Sequence, residues 1–164
     1  MNTREVSYQE TVFSRWISLV PAAAGIAVAA IGAIGLVTAP FQETATGWWL
    51  IGTGGFILLV ALNLLFMRVT ISKKGITVRY GVFHSTIPME NVAAVYQDKT
   101  AGIVYGGYGV RFAFVKGRFR IAYMVLDAPR VVIRQKRGNR EIAFSTRNLA
   151  AALGAIEILG AVPA

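Results

Sequence analysis

The chain has 164 residues, of which 55% are hydrophobic and only 15% charged, and its 17 Lys and Arg outweigh 8 Asp and Glu for a formal net charge of +9. A mean hydropathy of +0.54 excludes disorder, and a charged fraction well under the ~25% of average soluble domains places part of the chain in lipid. No cysteine and a single histidine, His84, exclude disulfides, thiolate chemistry, cysteine-bound zinc and a histidine-rich metal centre, so neither metal nor cofactor is expected.

Residues 1–15 read as a short cytoplasmic segment. No charge occurs from Trp16 to Gln42, and a second uncharged stretch runs from Thr44 to Met67. About 20 residues, rising ~1.5 Å each, cross a ~30 Å hydrocarbon core. Residues 16–67 are therefore expected to form a transmembrane hairpin, with spans at about 16–38 and 46–67 joined by a tight turn at Ala39–Glu43. Val37-Thr38-Ala39 resembles a signal cleavage site, but the apolar run exceeds a signal h-region and a second span follows at once, so a retained span is expected. Arg4 and Arg15 precede the first span, Arg68, Lys73, Lys74 and Arg79 follow the second, and the loop between them has no cation. That asymmetry predicts a plasma (inner) membrane protein with both termini cytoplasmic, and Trp16 and Trp48-Trp49 suit the two interfaces. Gly25, Ala29 and Ala33 recur every four residues with Gly32 beside them, and Gly52, Gly54 and Gly55 open span two. Small residues so spaced let helices approach closely, while Asn63 is expected to hydrogen-bond between the helices.

Beyond Met67 the pattern turns to short alternating runs. Arg68–Ser72 and Ile76–Tyr80 flank the turn Lys73-Lys74-Gly75, a hairpin signature. Val82–Ile87, Val92–Gln97, Val110–Phe114, Phe119–Val125, Arg130–Arg134 and Arg140–Phe144 follow, the last two around Gly138-Asn139. Ser145 or Thr146 then caps a helix carrying Leu149, Leu153, Ile156 and Leu159 on one face. Residues 68–164 thus read as one mainly-β domain of about seven antiparallel strands with a C-terminal helix.

This order, with its Ile87-Pro88-Met89-Glu90-Asn91-Val92 step, resembles bacterial pleckstrin-homology-like (PH-like) membrane proteins. The matching pieces are Ile71–Tyr80, Ile87–Val95, Gly107-Tyr108-Gly109-Val110-Arg111 and Val131–Leu159. The resemblance implies a partly open barrel of two nearly orthogonal sheets plugged by the helix, with headgroup contacts at hairpin loops. It implies no reaction.

Fifteen of the cations and five of the acids lie beyond Met67, giving this domain +10. Next to an anionic leaflet each cation gains about 1 kcal/mol. The candidate headgroup contacts are Lys73 and Lys74, then Lys116, Arg118 and Arg120, then Lys136, Arg137 and Arg140. The glycine-rich loop around Tyr105, Gly107, Tyr108, Gly109 and Arg111 is a candidate for a partner or ligand. It lacks the Lys-Ser/Thr ending and strand-to-helix setting of a P-loop, and Arg111 is expected to pair with Asp98 or Asp127. No nucleophile, base and stabiliser occur together, so an enzyme is not expected. Phe112 and Phe114 share one strand face, the pattern of a core, so nucleic acid is not expected either. The expected function is a non-enzymatic module that displays a basic PH-like domain to anionic lipid, to a protein partner, or to both. One alternative is a structural subunit or homo-oligomer assembled through the spans; a weaker one is a small-ligand or nucleotide enzyme seated on Gly102–Arg111.

Overall fold

The computed structural model describes residues 6–38 and 44–160. In chain order these form β1 (Val6–Phe13), α1 (Arg15–Thr38), α2 (Thr44–Asn63), β2 (Phe66–Ser72), β3 (Gly75–Tyr80), β4 (Phe83–Pro88), β5 (Val92–Gln97), β6 (Gly109–Val115), β7 (Arg118–Met124), β8 (Arg130–Gln135), β9 (Arg140–Ser145) and α3 (Leu149–Ile158). The chain divides into a helical unit, Arg15–Leu65, and a β unit built from the chain up to Ser14 together with the chain from Phe66 onward. The expected turn at Ala39–Glu43 lies outside the described residues.

Both helices are long and apolar enough to cross a membrane. Their outer side chains, among them Ile26, Ile31, Phe56, Leu59, Trp48 and Trp49, are exposed, as on a surface that meets lipid rather than a soluble core. The seam between the helices repeats every seven residues: Ser18, Gly25 and Gly32 are buried on α1, and Gly47, Gly54 and Ala61 on α2. The backbones touch there. A Cβ added to Gly25 would lie 2.8 Å from the Gly54 carbonyl oxygen, and one on Gly32 would lie 2.7 Å from that of Gly47. A four-residue step turns a helix about 40° past a full revolution, so the expected Gly25–Ala29–Ala33 row drifts off this seam. Ala29 still meets Gly54, but Ala33 is exposed, and a Cβ on Gly52 would meet nothing within 4 Å. Asn63 is the last residue of α2 rather than a group deep in the span, and at that level Ser18 Oγ donates to the Leu64 carbonyl at 2.7 Å.

Among the described residues the β unit has nine strands in two sheets, of order β1-β2-β3-β4 and β5-β8-β9-β7-β6. Two features correct the sequence reading. Residues 1–15 are not merely a leader to the first span, because Val6–Phe13 pairs antiparallel with β2. Nor is the second sheet wholly antiparallel, since β7 and β9 run parallel. Glu10 fastens β1 by accepting from Tyr8 Oη at 2.7 Å, Thr146 Oγ1 at 2.5 Å and the Arg147 amide at 2.8 Å.

Alternation sets the core. Val12, Met67, Val69, Ile71, Ile76, Val78, Tyr80 and Ile87 of the first sheet are buried, as are Val95, Val131, Ile133, Ile142 and Phe144 of the second. The α3 helix packs on both sheets through Ala152, Ala155 and Ile156, so of the expected leucine-rich face only Ile156 is fully buried. Its cap is Asn148, whose Oδ1 accepts from the Ala151 amide at 3.1 Å. Ser145 instead takes the Val125 amide at 3.0 Å, and Thr146 serves Glu10.

Candidate functional site

Three basic turns meet at one end of the β unit. The β2–β3 turn, with Lys73 and Lys74, receives the Met89 amide on the Lys74 carbonyl at 3.4 Å. Two residues further on, Asn91 holds the β8–β9 turn: its carbonyl accepts from the Lys136 amide at 2.8 Å, and its side-chain oxygen from the Arg137 amide at 2.9 Å. Across that same turn, Asn139 Nδ2 donates to the Gly117 carbonyl at 2.9 Å, tying in the β6–β7 turn with Lys116 and Arg118. These bonds join the three turns into a crown of cations, and at the β8–β9 turn a hollow of about 370 Å³ is lined by Pro88, Glu90, Asn91, Lys136 and Arg137. Lys73, Lys74, Lys116, Lys136, Arg137 and Arg140 are exposed and Arg118 is half-buried. Hydrogen bonds from the backbone and from the Asn91 and Asn139 side chains fix the turns. Arg118 Nε also lies 4.0 Å from Glu141 Oε1, while the exposed heads of Lys74, Lys116, Lys136 and Arg137 attract an anion over about a Debye length of ~10 Å.

Arg120 does not belong to that crown. It is buried, 3% exposed, on the far face of the second sheet beneath the 98–105 segment. Its Nε and Nη2 grip Glu141 Oε2 at 3.0 and 2.6 Å, Nη1 reaches Asp98 Oδ1 at 3.3 Å and Tyr105 Oη, and Nη2 also donates to Tyr96 Oη at 3.2 Å. Around this centre Tyr105 Oη donates to Asp98 at 2.7 Å, Tyr96 Oη donates to Glu141 at 2.9 Å, and Arg130 and Arg134 pair with Asp98 and Glu141 at 3.2 and 3.3 Å. Burial alone would raise both carboxylate pKa values. It is outweighed at Asp98 by hydrogen bonds from Tyr105 and Thr100 and by the Arg120 charge, and at Glu141 by Arg120 and Tyr96, so both acids are held below their ordinary range. Burial together with Glu141 raises Tyr96, and burial together with Asp98 raises Tyr105. Among the described residues no buried side-chain nitrogen or oxygen lacks a partner. A cluster whose groups are all engaged with one another holds a loop on a sheet.

The glycine-rich loop packs on the same cluster. Tyr105 is its buried plug, 3% exposed, while Gly106, Gly107 and Gly109, all at positive φ, carry the chain out of the short Gly102–Tyr105 turn and into β6. Tyr108 and Arg111 are exposed. The partners of Asp98 are Arg120 and Arg130, not Arg111.

Phe112 and Phe114 overturn their assignment to the core. They do share a strand face, but β6 is the edge of its sheet, and the two rings are 64% and 76% exposed. Both pack on Phe119, at centroid distances of 6.1 and 5.5 Å. Nothing in the alternation of β6 distinguishes an edge strand from a central one. Among the described residues no group of three or more His, Cys, Asp or Glu is placed to hold a metal ion.

Compared with known proteins, the chain matches no family model, no curated protein and no solved structure.

Proposed function

We propose that the chain is a non-enzymatic plasma-membrane protein with two spans and both termini cytoplasmic, which displays a basic, PH-like domain that binds an anionic partner through the crown. The observation that carries this reading is the convergence of three separately encoded basic turns, Lys73-Lys74, Lys116–Arg118 and Lys136-Arg137, on one hydrogen-bonded rim. Like charges are not gathered for stability, so a rim of this kind is explained by what it attracts. Two sheets closed by a final helix support the PH-like assignment; the parallel β7–β9 pair and the added strand β1 depart from the expected pattern. Anionic headgroups and acidic protein segments both supply the required charge.

The exposed Phe112 and Phe114, packed on the half-buried Phe119 beside the Lys116 turn, favour a second reading, a single-stranded nucleic acid stacked on aromatic rings. Gly25 and Gly32 meet Gly54 and Gly47 of the same hairpin, so assembly through the spans would use another face.

The test uses the full chain in neutral phosphatidylcholine nanodiscs, since a fragment beginning at Arg68 would lack β1 and the start of β2. It is offered phosphatidylglycerol vesicles, polyglutamate or a single-stranded oligonucleotide at low and high salt. Binding to one of the first two that is lost when Lys73, Lys74, Lys136 and Arg137 are replaced by Ser supports the crown. Binding unchanged by those substitutions rejects it, and preference for the oligonucleotide selects the second reading.

A further inference from the structure

The opposite end of the first sheet carries a different surface. Only Ser14 separates β1 from α1, and only Leu64 and Leu65 separate α2 from β2. At ~3.3–3.6 Å per extended residue, both apolar helices therefore leave from the sheet end where Phe13 faces Phe66 and Met67 faces Tyr80. The β3–β4 turn lies at this same end, because Tyr80 pairs with Phe83. Val82 at its tip is 70% exposed, and Phe83 and Phe66 are exposed beside it. The next outward-facing row reads Thr11, Arg68, Arg79 and His84 across the four strands, all exposed. Two arginines directly opposite each other in a sheet repel, and the row contains no acid to relieve them. Apolar side chains at the rim with cations one row behind match the layering of a bilayer interface, acyl chains first and phosphates next.

We propose that this end of the sheet is itself a membrane-docking edge, in which Val82, Phe83 and Phe66 enter the interfacial region of the bilayer that holds the spans and Arg68 and Arg79 engage lipid phosphates. The inference rests on the membrane reading of the helices and not on the crown. Lys73 follows the whole seven-residue length of β2, which separates the crown from this edge by about 23 Å at ~3.3 Å per residue.

The absence of native cysteine makes the test direct. Val82→Cys and Lys74→Cys are labelled singly with an environment-sensitive fluorophore in the full chain, reconstituted in phosphatidylcholine–phosphatidylglycerol vesicles with or without lipids spin-labelled near the headgroup. Both sites are exposed turn positions, and far-ultraviolet circular dichroism checks that each variant is folded. The proposal expects blue-shifted, strongly quenched emission at position 82 and solvent-like, weakly quenched emission at position 74. Quenching at 74 equal to or greater than at 82 overturns it and favours a crown facing its own bilayer. Solvent-like emission at both positions also overturns it, and leaves the crown free for a soluble partner. A further Arg68→Gln, Arg79→Gln change is expected to reduce quenching at 82; no change overturns the role of the arginines.

Discussion

Arg120 and Lys136 lie on neighbouring parts of one sheet and meet opposite fates. Arg120 is buried and bound on every side by Glu141, Asp98, Tyr96 and Tyr105, whereas Lys136 stands in water on a turn whose backbone is held by Asn91. A cation in the interior is paired and becomes a fastening; a cation on a fixed turn keeps its charge for another molecule. The contrast teaches that the net charge of +10 carried by residues 68–164 is two populations, one paired in the interior and one exposed.

The largest expected effect breaks the buried side of that contrast. Arg120→Met leaves Asp98 and Glu141 as uncompensated buried acids and is expected to destabilise the β unit by about 3–5 kcal/mol, read from thermal unfolding of the full chain in detergent by tyrosine near-ultraviolet circular dichroism. Arg120→Lys keeps the charge but loses the fork that grips Glu141 through two nitrogens, so a smaller loss of about 1–3 kcal/mol is expected. A lysine variant as unstable as the methionine one would show that geometry, not charge, dominates.

Acid titration comes next. Asp98 and Glu141 are held below their ordinary values of 3.8 and 4.5. A depressed carboxylate contributes stability that is fully present above its unfolded pKa and is lost as pH falls through its folded one. The β unit should therefore lose stability below about pH 4, and an Asp98→Asn, Glu141→Gln pair should flatten that dependence while lowering stability at neutral pH. An unchanged acid slope in the pair would place the sensitive groups elsewhere.

The smallest effect on stability belongs to the crown. Replacing Lys73, Lys74, Lys136 and Arg137 with Ser should shift unfolding by within about 0.5 kcal/mol per site, the usual range for exposed positions. The same variant should bind anions more weakly and with a shallower salt dependence. A large destabilisation would mean that these turns serve the fold.

Much of this was legible from residues alone. The two uncharged stretches became α1 and α2, and β2–β5 fell where alternation and the Lys-Lys-Gly and Pro-Met-Glu-Asn punctuation put them, because local chemistry sets these features. Val6–Phe13 also alternates, yet its partner β2 lies beyond both helices, a pairing that no local pattern carries. Arg118 and Arg120 share a strand face and look alike in sequence. The 98–105 segment, crossing that face, buries one and leaves the other half-exposed.

Two apolar spans, the basic stretch beyond them and the lack of cysteine chemistry follow from the order of residues, since composition and periodicity are sums over nearby residues. The seven-residue seam between the helices, the place of β1 in the first sheet, the open edge that holds Phe112 and Phe114 and the joining of three basic turns arise in the folded chain. Those outcomes depend on which distant segments pack together, and burial, unlike hydropathy, belongs to the pair of surfaces that meet and not to either strand alone.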